Sequence, residues 1–173
     1  MDIFENRSSW YENFQSGWLA HYKATGETNW KLYEHPRNTT APGLPGIDLS
    51  QSRLLLISSA GGYLPASQER YDDENDLGDY SIRLIPSTTT LEDVAFAHTH
   101  YDHTMVDADP QVLLPLRHLE DMVGEGIIGE LTSNIISFMG YLPDVTRLLD
   151  ETIPAMIAAA SAERADAALL VPA

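Results

Sequence analysis

The sequence contains no cysteine. Within its 173 residues that absence excludes disulfides, a thiolate zinc site, an iron–sulfur cluster and a cysteine nucleophile. Positive charge is scarce as well: 10 Lys and Arg stand against 26 Asp and Glu, for a formal charge of −16. A surface of that sign repels a phosphate backbone, so nucleic acid is not an expected partner, and the acidity is read as solubility. No apolar run approaches the roughly 20 residues that cross a bilayer, so no membrane association is expected. The start, MDIFENRSSW, lacks the basic segment followed by an apolar one that marks a secretory signal. A cytoplasmic protein is the expectation.

What is present is ordinary for a globular chain, with 43% hydrophobic and 21% charged residues, enough for one domain with a sizeable core. Residues 1–46 differ in texture from the rest. Trp10, Phe14, Trp18 and Tyr22 recur every four residues, so one helical face could carry all four as a docking stripe, onto the chain's own domain or onto a partner. HPRNTTAPGLPG follows, and its three prolines and two glycines suit a linker or a draped arm.

From residue 47 the pattern becomes that of a sheet with helices. The run LLLI at 54–57 is continuously apolar, as in a strand buried on both faces, and it ends in SSAGG. Residues 81–85, 94–97, 135–138 and 168–171 are further strand candidates. Residues 115–123 place Leu116, Leu119, Met122 and Val123 on one helical face, and Pro154 suits the first turn of a helix through MIAAASAERAD. The fold class that follows is α/β, a mainly parallel sheet flanked by helices, with an extended aromatic-rich N-terminal arm. Residues 54–57, 94–97, 135–138 and 168–171 are the expected members of the parallel sheet. In such sheets ligands gather at the carboxyl ends of strands. Three features sit at such ends: the SSAGG turn, the segment AHTHYDH, and Pro172-Ala173.

The segment AHTHYDH spaces three histidines and an aspartate as H-x-H-x-D-H, and three readings are open. One is a metal centre, since neutral imidazoles and a carboxylate suit zinc and an open position would activate water in a hydrolase. That motif in metal hydrolases needs a further histidine and a bridging aspartate downstream. Here only His118 follows, on an expected helix, so no metal is assigned. The second reading is a surface loop whose rings are satisfied by water and backbone. The third, which ranks first, is the wall of a pocket: His98, His100 and His103 line a strand end and Asp102 orients one ring, fixing its tautomer and raising its basicity.

Several stretches taken together resemble the glycine/sarcosine/betaine reductase component B (selenoprotein B) family, which includes the small D-proline reductase subunit. They are DLSQSRLLLISSAGGYLPASQERYD, GDYSIRLIPSTTTLEDVAFAHTHYDH, DADPQVLLPLRHLEDMVGEGIIGELTSNIISFMGY and DAALLVPA, in that order over residues 48–173, with the first 46 residues outside the resemblance. The resemblance implies a reductase subunit that cleaves a carbon–nitrogen or other carbon–heteroatom bond. It implies that a cysteine or selenocysteine attacks the substrate carbon, that a pyruvoyl group on a partner can activate the amine, and that thiols elsewhere return the electrons. It places the redox residue directly after the strand that here reads LLVPA, so the nucleophile is expected beyond Ala173, on a second chain or subunit. A UGA codon read as a stop, cleavage at this point and a short paralogue without the redox step are the three accounts of that position.

The resemblance further assigns Ser59, Gly61, Gly62 and Tyr63 to the substrate loop, and Met139, with Gly140 and Tyr141, to a second strand-end turn. His98, His100, Asp102 and His103 are the expected catalytic wall. Residues 47–173 are expected to form a reductase-like domain incomplete at its C-terminal end, with no cofactor of its own, a small-molecule substrate and an oligomeric assembly. A non-catalytic scaffold subunit docking through the 10–22 stripe is the rival from another class, and a metal-dependent hydrolase is the third reading.

Overall fold

In a computed structural model, residues 4–39 and 46–173 are described. Two compact units divide the chain, one within Met1–Pro45 together with Asp144–Thr146, the other Gly46–Pro143 with Arg147–Ala173.

In the first unit the aromatic stripe forms two helices rather than one, α1 (Arg7–Ser16) and α2 (Trp18–Thr25). The break falls at Gly17, where a Cβ would lie 2.8 Å from the carbonyl oxygen of Asn13. The four-residue spacing still stacks the rings across that break, Trp10 on Phe14 at 5.0 Å, Phe14 on Trp18 at 5.5 Å and Trp18 on Tyr22 at 5.8 Å. Tyr33 meets Trp10, Phe14 and Trp18 edge-on, and the Trp10 indole donates to the Glu34 carbonyl at 2.6 Å. Trp10, Phe14 and Trp18 are thereby buried within the chain itself. Part of the expected linker, residues 40–45, lies outside the described residues.

The second unit is the α/β body. Its strands are β1 (Arg53–Ser58), β2 (Gly62–Tyr63), β3 (Ile82–Pro86), β4 (Ala95–Phe96), β5 (Glu130–Leu131), β6 (Asn134–Phe138) and β7 (Ala167–Val171). Its helices are α3 (Thr104–Ala108), α4 (Leu116–Gly124), a π-helical stretch Leu148–Thr152, and α6 (Ile153–Ala162), and the single turn α5 (Val145–Arg147) has residues in both units. β1 lies at the centre, parallel to β5 and β6 on one side and to β7 on the other, and β3 joins β6 antiparallel. This is the expected mainly parallel sheet with helices. Leu54, Leu55 and Leu56 are all buried, so β1 is covered on both faces, as its unbroken apolar run requires. Leu114, Leu116 and Leu119 pack with Leu54, Leu56, Ile85, Ile128 and Ile135 as the main core.

Residues 94–97 do not enter the parallel sheet as expected. Ala95 and Phe96 pair antiparallel with Tyr63 and Gly62 in a separate two-stranded ribbon. A two-residue strand following a 3-10 turn at Leu91–Asp93 is too short to span the sheet, and its partner is the nearby segment after β1. Among the described residues no helix is long and apolar enough to cross a membrane.

Gly61 makes the ribbon possible. Its φ of +68° is a left-handed conformation, and a Cβ there would come 2.4 Å from the carbonyl oxygen of Ala97. Gly61→Ala is therefore expected to cost about 2–3 kcal/mol from backbone strain and the displaced contact. Urea unfolding measures it; a loss below about 0.5 kcal/mol would show that the β2–β4 ribbon does not depend on this close approach.

Candidate functional site

β1, β6 and β7 are parallel, so their carboxyl ends share one edge of the sheet, and the segments that follow them meet there. After β1, Ser59 donates its amide to the Val171 carbonyl at 3.1 Å, and its Oγ accepts from the Ala173 amide at 2.9 Å. On its other side, the Ser59 carbonyl accepts from Gly140 N at 2.9 Å. Ala60 bridges Met139, and the Gly61 amide donates to the Phe138 carbonyl at 2.9 Å. Residues 59–61 thus tie the ends of β6 and β7 together.

The ribbon brings in the histidines. The Ala97 amide donates to the Gly61 carbonyl at 2.9 Å, and His98 follows directly, its Cβ 3.2 Å from where a Gly61 Cβ would lie. Tyr101 reaches back to donate its hydroxyl to the Ala60 carbonyl at 3.1 Å. Burial pushes the Tyr101 hydroxyl up to about 12, with Asp107 adding to the shift. It is a neutral donor at physiological pH.

Each imidazole has a distinct setting. His98 is only 5% exposed, and its Nδ1 accepts from the His100 amide at 3.1 Å, so the neutral ring carries its proton on Nε2. Burial drives its pKa down to about 4, helped by His100 and His103 and opposed by Asp73. His103 donates Nε2–H to the His98 carbonyl at 2.6 Å, while its ring stacks on Tyr101 at 4.4 Å. His100 is exposed and lies flat on Tyr141, centroids 3.7 Å apart and planes 4° from parallel. Its Nδ1 is 3.3 Å from Thr99 Oγ1, whose own hydrogen goes to the Asp73 carbonyl at 2.8 Å. The hydroxyl oxygen therefore receives Nδ1–H, and the lone pair of His100 is on Nε2.

Asp102 does not orient a ring. Its carboxylate accepts from the Thr104 amide at 2.9 Å and the Thr104 hydroxyl at 2.7 Å, opening α3, and these bonds hold its carboxyl below the ordinary range. An Asp two residues before an amide in a turn is better placed for that backbone bond than for a side chain further off. The carboxylate that acts on His98 is Asp73, nearly buried and held by a bidentate Arg70 at 2.7 and 3.0 Å. The Arg70 hydrogen bonds keep the Asp73 carboxyl well below the usual carboxylate range.

The zinc-like spacing does not become a zinc-like geometry. His98 Nδ1 and His103 Nε2 are engaged with backbone atoms, and among the described residues no group of three or more His, Cys, Asp or Glu is arranged to hold a metal ion.

Met139 is another correction. Its side chain is 0% exposed and packs with Tyr63, Tyr71 and Ala97, so it supports the floor of the edge rather than facing a ligand. Tyr63 is buried in that same cluster, and Gly62 lies against Leu114, Ser137 and Phe96. Of the residues expected in the substrate loop, Ser59 and Gly61 adjoin the strand ends and the histidines. Sequence reasoning reaches Tyr141 only as part of the strand-end turn and does not single out Asp73 or Tyr101. The Arg-x-x-Asp spacing at 70 and 73 was a legible signal for a pair, but nothing in the acidic loop tied it to His98. Two open clefts of about 660 and 680 Å³ adjoin the ribbon, and no histidine lines either; the engaged polar groups mark the strand-end edge instead.

The polar side chains of this α/β body thus collect at the carboxyl edge of its parallel strands, the edge where ligands of such sheets gather. The chain belongs to the family described as glycine/sarcosine/betaine reductase selenoprotein B (GRDB), which matches residues 23–161. The match begins inside the aromatic segment, so the family likeness is not confined to residues after 46, and it stops before β7. Relatives include D-proline reductase subunit gamma of Acetoanaerobium sticklandii, 30% identical over 71% of this chain and 49% of that protein. Sarcosine reductase complex component B subunit beta of Peptoclostridium acidaminophilum is 28% identical over 68% of this chain and 28% of its own length. Glycine reductase complex component B subunit gamma of Symbiobacterium thermophilum is 29% identical over 63% and 26%. The chain thus spans about half the length of the first of these relatives and little more than a quarter of the others. No solved structure matches.

The buried neutral state of His98 has a consequence for stability. Its folded pKa, about 4, is below the ordinary 6.5, so the unfolded chain binds the extra proton first as pH falls. The contribution is complete above pH 6.5 and is lost as pH drops from 6.5 through 4, by about 3 kcal/mol in all. His98→Gln should flatten that part of the stability–pH curve, as measured by urea unfolding between pH 7 and pH 4. Parallel curves for the two proteins would show that His98 is not held neutral by the fold.

Proposed function

We propose that this chain is a subunit of a reductase that cleaves a carbon–nitrogen or other carbon–heteroatom bond in a small molecule, with the cysteine or selenocysteine nucleophile carried by a partner chain. Family membership and the printed names of the relatives, reductase subunits for D-proline, sarcosine and glycine, support the reaction class. The observation that carries the assignment of the site is the convergence of residues 59–61, the 98–103 segment and the end of β7 at one strand edge. Without a cysteine, this chain can position a substrate and move protons there, but cannot supply the redox nucleophile. A cytoplasmic location belongs to the same reading, as does the absence of a cofactor held by this chain alone; a pyruvoyl group, where one takes part, belongs to a partner.

The proton chemistry falls to His100. Breaking a carbon–nitrogen bond leaves the bonding pair on nitrogen, which must take up a proton to depart. An exposed imidazole with its Nδ1–H anchored on Thr99 and a free Nε2 is placed to exchange that proton. Tyr141 fixes the plane of the ring by stacking, and Tyr141 is itself held by donation to the Asp76 carbonyl at 3.1 Å. His98, kept neutral, offers a donor rather than a charge, and His103 and Asp102 hold the segment in shape. The Ser59 hydroxyl lies where the strand ends meet.

Glycine, sarcosine, betaine and D-proline make the first panel of ligands. Titrated into the 173-residue protein, one of them should shift the imidazole nitrogen resonances of His100 and His98, with smaller changes at His21 and His35. In the complex with its redox partner, His100→Gln should lower the rate about 100-fold, the usual worth of a general acid–base group, without lowering the melting temperature. If no ligand of the panel moves those resonances and His100→Gln reacts within twofold of the parent, the scaffold reading takes the place of this one.

A further inference from the structure

Residues 71–80, YDDENDLGDY, carry five carboxylates, yet what the segment gives the neighbourhood of His100 is two backbone carbonyls. The Asp73 carbonyl accepts the Thr99 hydroxyl at 2.8 Å, and the Asp76 carbonyl accepts the Tyr141 hydroxyl at 3.1 Å. Thr99 and Tyr141 are in turn neighbours of the His100 ring, Thr99 Oγ1 at 3.3 Å from Nδ1 and the Tyr141 ring face to face at 3.7 Å. Both restraints on the imidazole therefore return to one loop. The loop is built to hold those carbonyls still. At its start Tyr71 is 1% exposed and donates to the Ser137 carbonyl of β6 at 2.8 Å. At its end the Tyr80 carbonyl accepts the buried Thr152 hydroxyl at 2.8 Å. Between them the Asp79 carboxylate accepts the Asp72 amide at 3.0 Å and closes the loop on itself. Gly78, with φ +80°, lies so near that a Cβ there would be 2.6 Å from the Tyr141 carbonyl oxygen. Asp73 is 4% exposed, and a carboxylate buried that far needs a partner. Arg70 supplies one with bonds of 2.7 and 3.0 Å, and so fixes the residue whose own carbonyl receives Thr99.

We propose that residues 70–80 are the positioning element of the candidate site, with Asp73 and Thr99 holding His100 as its Nδ1–H tautomer and Asp76 holding the Tyr141 ring that sets its plane. This deepens the reading of His100 as the proton-exchanging group and rests on that reading for its place in a reaction. The tautomer follows from the order of donors. A carbonyl has no hydrogen to give, so Thr99 turns its one hydrogen toward Asp73. The hydroxyl oxygen is then an acceptor for the ring, and what it accepts is Nδ1–H, which leaves the lone pair on Nε2. A histidine side chain free in water prefers the other tautomer, so the loop selects the minor one. Stacking alone would let the ring turn over in its own plane and exchange its two edges. The Thr99 bond removes that freedom, and the Tyr141 stack removes tilting.

Nitrogen-15 resonances separate the two tautomers, because a protonated and a bare ring nitrogen differ widely in shift. In the 173-residue protein at about pH 9, above the ordinary imidazole range, His100 is expected as Nδ1–H. Thr99→Val, at an exposed position, should raise the ratio of Nε2–H to Nδ1–H about fivefold, as the loss of one ordinary hydrogen bond allows. Thr99→Ser should restore the parent spectrum. Arg70→Gln should move the tautomer in the same direction as Thr99→Val, and Arg70→Lys should move it less. Tyr141→Phe keeps the ring but loses the bond to Asp76, and should reduce the upfield ring shift of the carbon-bound protons of His100. A parent protein with His100 as Nε2–H, or a Thr99→Val spectrum identical to the parent's, would overturn the proposal. So would an Arg70→Gln protein with a lower melting temperature and an unmoved tautomer, which would make the Arg70–Asp73 pair a purely structural one. The reaction has a separate readout in the complex with its redox partner. A Thr99→Val protein whose tautomer has shifted but whose rate stays within about twofold keeps the positioning loop and removes His100 from the chemistry. A slower rate with an unmoved tautomer does the reverse.

Discussion

The pairing of β1 with strands on both of its sides is the constraint from which the rest of the second unit follows. Three consecutive leucines can be buried together only if both faces of a strand are covered; β5, β6 and β7 at its sides make β1 central to the sheet, and the core residues of α4 pack against Leu54 and Leu56. Parallel pairing then determines where the candidate site lies. With β1, β6 and β7 ending at the same edge, the backbone groups that no longer have strand partners must be satisfied by one another. The bonds among Ser59, Gly140, Val171 and Ala173 are that satisfaction. The edge is ordered because the sheet leaves its polar groups no cheaper alternative.

The histidine segment depends on that order at one remove. A left-handed residue after β1 turns the chain into the short ribbon, and the ribbon brings 97 and 98 against 61. Once there, the rings are differentiated by burial and by which nitrogen is engaged. His98 is desolvated and neutral, His103 is tied to a carbonyl, and His100 stays in water on the face of Tyr141. Three chemically identical side chains in six positions thus become a structural group, a brace and an exposed, stacked ring.

Much of this was legible in residue order. Continuous apolar runs revealed β1 and β6, because burial on both faces leaves no room for alternation, and the i, i+3, i+4 pattern revealed α4. Four-residue spacing revealed the aromatic stripe, whose rings remain stacked although Gly17 divides the helix. The family was legible from its motifs, and the H-x-H-x-D-H spacing picked out the segment that the fold brings to the strand ends. Residue order could not say which partners each ring would find. Asp102 is two positions from the amide it caps, whereas Asp73, the carboxylate that acts on His98, is 25 positions away and comes near only through the fold. Met139 reads as a loop residue in sequence and is a core residue in space. By itself the sequence determined the longer strands β1, β6 and β7, the helices α4 and α6, the family and the cluster of candidate groups, since these follow from local spacing and side-chain chemistry. Only the tertiary structure decided which imidazole is neutral, which is braced and which is free, because burial and hydrogen-bond pairing are set by residues distant in the chain.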